Sequence, residues 1–193
     1  MTAALLLIGL VGGEPAGART TVPRPEQAPS SVIADWAQRV SGIVDPEGGL
    51  IPPETAVWHA SVSLAMYNAV VGIEGRYVPY RWRGERAAPG ASAEAAAATA
   101  AYRVLLAGFP QAGKVLEKAW KESLAKVPDG PGERAGVAFG KRAAQHIMAL
   151  RAHDGRGASV PFSPSPAPGV WRPTPPAYEG FGTAWLSRLR PFL

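Results

Sequence analysis

Apolar side chains recur every three or four positions along most of the middle of the chain, a pattern typical of amphipathic helices. Residues 31–43 carry one apolar stripe through Val32, Trp36 and Val40, so we expect a helix there. Residues 54–73 are apolar on nearly every side, which indicates a helix buried on most faces, at the centre of a bundle or within a membrane. Its polar side chains favour the bundle over a lipid-facing span: His59, Ser61, Ser63, Tyr67 and Asn68.

Three further helices are predicted, over residues 93–107, over 110–127 and from 131 to before Gly155. Ser92 can cap the first of them, whose alanines allow neighbouring helices to approach closely. The last contains small residues four positions apart, namely Gly132, Gly136, Gly140 and Ala144. Because each glycine destabilises a helix by about 1 kcal/mol relative to alanine, this stripe indicates close contact with another helix.

The chain changes character from residue 158 onward, because repeated prolines forbid a long helix. We expect residues 159–178 to form an extended strap with Trp171 as its anchor, followed by a short turn over 184–189. The pattern therefore predicts an all-α fold, with a bundle of about five helices over 31–157 and a Pro-rich strap over 158–193.

The first residues resemble a secretion signal. Residues 3–11 (AALLLIGLV) form a short apolar run, and Ala16-Gly17-Ala18 offers a cleavage site. We therefore expect a signal peptide over 1–18, a linker over 19–30, and a protein that is secreted or held at the exterior of the cell envelope. A buried strand or an N-terminal helix is the alternative, since no Lys or Arg precedes the run.

Composition is that of a globular protein, with 47% hydrophobic and 18% charged residues among 193. The absence of Cys excludes disulfides, thiolate zinc sites and cysteine nucleophiles. The net charge of +5 is spread along the chain without a run of five or more basic residues, so a nucleic-acid partner is not expected. A stable membrane span is not expected either, because the apolar run 3–11 is too short to cross a bilayer and residues 54–73 carry polar side chains. The densest basic stretch, residues 81–86 (RWRGER), is interpreted as a solvated loop, with an anion or partner contact as the alternative.

The residues alone indicate no catalytic, cofactor-binding or metal-binding site. His146 and His153 are seven positions apart, whereas metal-binding pairs usually lie three or four apart, so we expect one packed histidine and one at a helix end. There is neither a G-x-S-x-G elbow nor a phosphate-binding glycine loop.

Several segments nevertheless resemble a known family when they are taken in order. After Trp36 they are 65–73 (AMYNAVVGI), 77–80 (YVPY), 90–96 (GASAEAA), 150–155 (LRAHDG), 168–176 (PGVWRPTPP) and 185–192 (WLSRLRPF). Together, over about residues 31–192, they resemble the N-terminal half of bacterial vanadium-dependent haloperoxidase-like proteins, of the type 2 phosphatidic acid phosphatase superfamily. Asn68 and Val71 depart from the family's Asp and Asn. Asn keeps a hydrogen-bonding oxygen, so we expect the packing to survive.

The resemblance implies peroxide-dependent halide oxidation on bound vanadate when such a protein is complete. The family holds vanadate or phosphate with a Lys…Arg-Pro, a Ser-Gly-His and an Arg…His segment, which follow this region. The chain ends at Leu193 before them, and Thr183 stands where a Lys would precede Arg190-Pro191. No site residue is carried over, and we expect an incomplete half of a larger helical fold that is inactive alone.

Two other functions stay open at this point. An acid phosphatase of the same superfamily would use the same kind of anion site, and a secreted helical interaction module would need none. The expected partner is the C-terminal half, or a second copy bound through exposed apolar surface.

Overall fold

The computed structural model describes residues 30–45 and 52–192, apart from the side chains of Ser30 and Ser31. Over these ranges it has no strand, and the all-α prediction is confirmed. The five α-helices are α1 (Ser30–Val44), α2 (Pro52–Glu74), α3 (Ala93–Gly108), α4 (Gly113–Leu124) and α5 (Pro131–Arg151). The predicted signal peptide and all of the linker except Ser30, which begins α1, lie outside the described residues.

Local signals set most of the helix ends where they were expected. Ser92 caps α3 by accepting a hydrogen bond from the Ala95 N–H at 3.1 Å. Gly75 follows the last residue of α2 and has φ +69°, a conformation that favours glycine. The predicted end at Val127 is wrong, because α4 ends at Leu124 and a turn follows. Val127 precedes a proline, which disfavours helical geometry at that residue.

The alanine-rich α3, rather than the predicted α2, lies at the centre of the bundle. It packs against all four of the other helices, whereas α2 packs against α1, α3 and α5. Its side chains are buried over most of the helix, with Ala95–Ala98, Ala100 and Ala101 at most 1% exposed. Alanine side chains are short, so neighbouring helices can approach an alanine-rich helix closely on every side.

The small-residue groove of α5 is the surface on which α3 lies. A Cβ added at Gly136 would collide with the Ser92 carbonyl oxygen, and one added at Gly140 would collide with the Ala96 carbonyl oxygen. The two helices therefore approach as closely as glycine allows, and the predicted close contact is confirmed.

The helix α2 is long and apolar enough to cross a membrane by length and composition, a test that buried helices of soluble proteins also pass. Half of its most apolar stretch is buried against the other helices. Its polar side chains bond within the protein: the Ser61 hydroxyl donates to the Val57 carbonyl at 2.8 Å, and Tyr67 donates to the Val78 carbonyl at 3.0 Å. These contacts match a bundle helix.

Residues 158–183 of the Pro-rich strap form neither helix nor strand, and nearly every residue from 161 to 180 is exposed. Trp171 is 40% exposed. Its ring packs against Phe162 and Phe181 of the same extended segment, with ring centroids 5.9 and 5.1 Å apart. The prediction that Trp171 anchors the strap to the helices is therefore wrong. Trp185, in a 3-10 turn at Ala184–Arg188, is only 8% exposed and takes that place.

A Gly→Ala substitution should have opposite effects on stability at Gly140, which lies in the α3–α5 contact, and at Gly42, which lies outside it. Gly140→Ala should destabilise the protein by about 1–3 kcal/mol, because the overpacking outweighs the better helix propensity. Gly42→Ala on α1 should stabilise it by about 0.5–1 kcal/mol, since nothing lies within 4 Å of the added Cβ. Urea unfolding of both variants measures the two changes, and equal effects would contradict the close approach.

Candidate functional site

Segments that carry the family resemblance meet at one end of the bundle. They contribute six residues to a connected set of contacts that we call the strap-closing network: Asn68, Tyr80, Arg151, Asp154, Arg190 and Phe192. These residues come from four of the six segments. The segment 168–176 lies apart on the exposed strap, and the segment 90–96 begins α3.

Asn68 of α2 fixes the loop that follows the helix. Its fully buried side chain donates from Nδ2 to the Tyr80 carbonyl at 3.1 Å and accepts the Tyr80 N–H on Oδ1 at 2.7 Å. An Asp at this position could accept from that N–H, but it would place a second oxygen against the carbonyl. The amide is therefore the side chain that suits this backbone.

Tyr80 and Arg151 hold the end of the chain against the bundle. The Tyr80 hydroxyl donates to the carbonyl of Phe192, although the two residues are 112 positions apart. The Arg151 guanidinium lies over the Phe192 ring, 3.9 Å from its centroid. Arg151 also donates from Nη1 to the Arg190 carbonyl at 2.8 Å. Residues 190–192 are thereby bound to α5 and to the loop after α2.

A buried ion pair forms the centre of the network. Arg151 Nε lies 2.8 Å from Asp154 Oδ2, and the two side chains are only 5% and 3% exposed. Asp154 also accepts the Arg156 backbone N–H at 3.0 Å and pairs with the Arg156 side chain at 3.2 Å, while its own carbonyl accepts the Arg190 N–H at 2.7 Å. Arg151 is in the last turn of α5 as expected, but its partner is this carboxylate, which the sequence did not reveal.

A cleft of about 470 Å³ opens beside the network. Its wall is mostly apolar, and Arg156 lies over the Trp58 ring, 4.3 Å from the centroid. Arg156 Nη1 and Trp185 Nε1 are buried donors without a partner in the described part of the protein. Glu54 is the acidic side chain on the wall. The cleft can hold an apolar group that carries an acceptor, and the described residues of its wall include no nucleophile paired with a base.

The three histidines have separate surroundings. His59 lies 3.0 Å from the Ser41 hydroxyl, where α1 meets α2. His146 stacks on Trp82 with ring centroids 5.2 Å apart, and His153 is exposed just beyond α5. One packed histidine and one at a helix end are therefore confirmed on α5. Within residues 30–45 and 52–192 no group of three His, Asp or Glu side chains could hold a metal ion.

Comparisons with protein-family models, with curated proteins and with solved structures found no match to the chain.

The buried ion pair predicts a large loss of stability on removal of its carboxylate. Asp154→Ala should destabilise the protein by about 3–5 kcal/mol, because Arg151 would stay buried without its counter-charge. Asp35→Ala is the matched control. Asp35 pairs with Lys126 at 3.2 Å but is 43% exposed, so its loss should change stability by less than about 1 kcal/mol. Denaturant unfolding compares the two, and similar small losses would contradict a buried central pair.

The packed His146 predicts a pH dependence of stability. Burial lowers the pKa of His146 below its ordinary value of 6.5, and the neighbouring backbone of Tyr80 and Arg81 only partly opposes the shift. The unfolded chain then binds more protons than the folded one, so stability should fall as pH drops from about 7 to about 5. His146→Gln should flatten this slope, and His153→Gln, an exposed site, should leave it. A slope that is unchanged in His146→Gln would contradict the assignment.

Proposed function

We propose that this chain forms the N-terminal helical scaffold of a vanadium-dependent haloperoxidase-like protein. The observation that carries the proposal is the strap-closing network, in which four resembling segments from three separate regions of the sequence bond to one another. The network gives these segments a shared structural task, since it returns the chain to the end of α5 after the strap.

Vanadate does not fit the donor sets of the described residues. A bound oxyanion of this geometry needs several Arg or Lys donors around it and a histidine at its apex, and vanadate held in that way activates hydrogen peroxide for halide oxidation. Here Asp154 already pairs with Arg151 and Arg156, and the three histidines lie in separate surroundings. Arg76, Arg83 and Arg86 line one hollow, but no histidine is among its described lining residues. We therefore assign to this chain no step of the chemistry. Its proposed task is to position a C-terminal helical half that carries the anion site.

The exposed strap and the cleft beside the network are the surfaces proposed for that half. Three aromatic side chains of the strap are exposed: Phe162 by 42%, Trp171 by 40% and Tyr178 by 63%. Large exposed aromatic side chains of this kind mark contact surfaces. When no C-terminal half is present, a second copy of the chain could cover the same surface, so the proposal includes self-association.

The test begins with the purified 193-residue chain. We expect no peroxide-dependent bromination with added vanadate and no phosphate-ester hydrolysis. We also expect binding of a dye for apolar surfaces and oligomers in size-exclusion chromatography. The DNA that follows the codon for Leu193 should encode the basic and histidine segments, in the same frame or in an adjacent one. Co-expression of that polypeptide should restore turnover and abolish dye binding and oligomers.

The outcomes separate the competing functions. Bromination by the assembled protein supports the haloperoxidase, and phosphate release without bromination identifies the phosphatase of the same superfamily. Asp154→Ala should lower the yield of the assembled protein, whereas Asp35→Ala should not. Turnover by the chain alone would overturn the proposal. A sharp monomer without dye binding, together with downstream DNA that lacks those segments, would instead identify an independent interaction module.

A further inference from the structure

The loop between α2 and α3 presents three arginines around one concavity. Arg76, Arg83 and Arg86 line a hollow of about 510 Å³ together with the exposed side chains of Tyr77 and Val78. None of the described residues that line it is acidic. The hollow includes part of the basic stretch 81–86, for which an anion contact was the alternative to a solvated loop.

No ion pair of the described residues involves any of the three guanidinium groups. Glu85, the acidic residue of this loop, pairs with Arg142 of α5 at 3.8 Å. Arg76 lies over the Tyr77 ring at 5.6 Å, and the Arg86 guanidinium packs against the backbone of Gly75. Three positive groups around one hollow repel each other, and an anion bound between them would relieve that repulsion.

The backbone that carries these arginines is fixed at several points. Tyr67 binds the Val78 carbonyl, Asn68 binds both the N–H and the carbonyl of Tyr80, and the Ala87 N–H donates to the Gly72 carbonyl at 3.3 Å. Trp82 stacks on Phe139 with centroids 5.3 Å apart. A loop held in this way loses less conformational entropy when it binds a ligand than a free loop would.

We propose that the hollow lined by Arg76, Arg83 and Arg86 binds a phosphoryl group. Guanidinium forks match the geometry of a phosphate oxyanion and form charge-assisted hydrogen bonds with it. The group can belong to a free phosphate compound or to a lipid headgroup. Val78 and Tyr77 are 74% and 61% exposed at the same loop, so an apolar neighbour of the phosphate would also find contacts there. This inference does not depend on the proposed scaffold function.

The first arm of the test uses inorganic pyrophosphate and isothermal titration calorimetry. The double variant Arg76→Gln/Arg83→Gln should bind pyrophosphate about tenfold more weakly than the wild type, because it loses two charged donors. It leaves Arg86 packed on Gly75, so thermal unfolding should stay close to that of the wild type. The control Lys114→Gln/Arg134→Gln removes the same two charges from exposed positions on α4 and α5 and should bind like the wild type.

The second arm separates a lipid headgroup from a free phosphate. Wild type and variants are sedimented with phosphatidylglycerol vesicles and with phosphatidylcholine vesicles at the same salt concentration. If the phosphate comes from a lipid, the wild type should sediment with phosphatidylglycerol only. Val78→Ser should then weaken vesicle binding while leaving pyrophosphate binding unchanged. If the source is a free phosphate compound, pyrophosphate binding should appear without sedimentation.

Two results would overturn the proposal. One is a wild type that binds neither pyrophosphate nor phosphatidylglycerol vesicles at low salt. The other is binding that falls equally in the Arg76→Gln/Arg83→Gln variant and in the Lys114→Gln/Arg134→Gln control, since that would reflect net charge rather than the hollow.

Discussion

The close approach of α3 and α5 is the constraint on which the rest of the structure depends. Gly136 and Gly140 let the α3 backbone lie directly on α5, and a side chain at either position would force the helices apart. With α3 so close, α5 leaves room for Phe139 to reach Gly72 of α2, where an added Cβ would meet its ring. The absence of a side chain at these glycines thus lets the three helices pack closely. The helix α4 packs on α3, and α1 packs on both α2 and α3.

That packing determines where charge can be buried. The last turn of α5 ends beside the loop after α2, and Arg151 in that turn is buried. A guanidinium in such a place must be paired, and Asp154, three residues on, supplies the carboxylate. Once this pair exists, its remaining lone pairs and N–H groups need partners, and the backbones of Arg156 and Arg190 provide several of them. The return of the strap to the bundle therefore supplies part of the partners of this buried ion pair, while Arg151 Nη2 has none among the described residues.

Local structure could be predicted from the sequence because its signals are local. The Ser92 cap, the Gly75 stop and the stripe of small residues in α5 act over a few positions, and each appears where the pattern placed it. Side-chain partners far apart in sequence could not be predicted in this way. Arg156 lies over Trp58, and Tyr80 binds Phe192, because the bundle brings them together. The position of α3 at the centre was missed for a related reason: hydrophobicity ranks α2 above it, but small volume decides which helix can accept four neighbours.

Tyr80 joins the two regions to which we attach function. Its backbone is held by Asn68, which fixes the loop of the arginine hollow, while its hydroxyl holds the carbonyl of Phe192 in the strap-closing network. The polar side chains of Tyr67 and Asn68 on α2 both form hydrogen bonds with the backbone of this loop, and these bonds argue against a lipid-facing helix. A partner that displaces residues 190–192 would release the Tyr80 hydroxyl, yet the two bonds from Asn68 would keep the loop in place. We therefore expect the hollow to keep its shape when another protein engages residues 190–192.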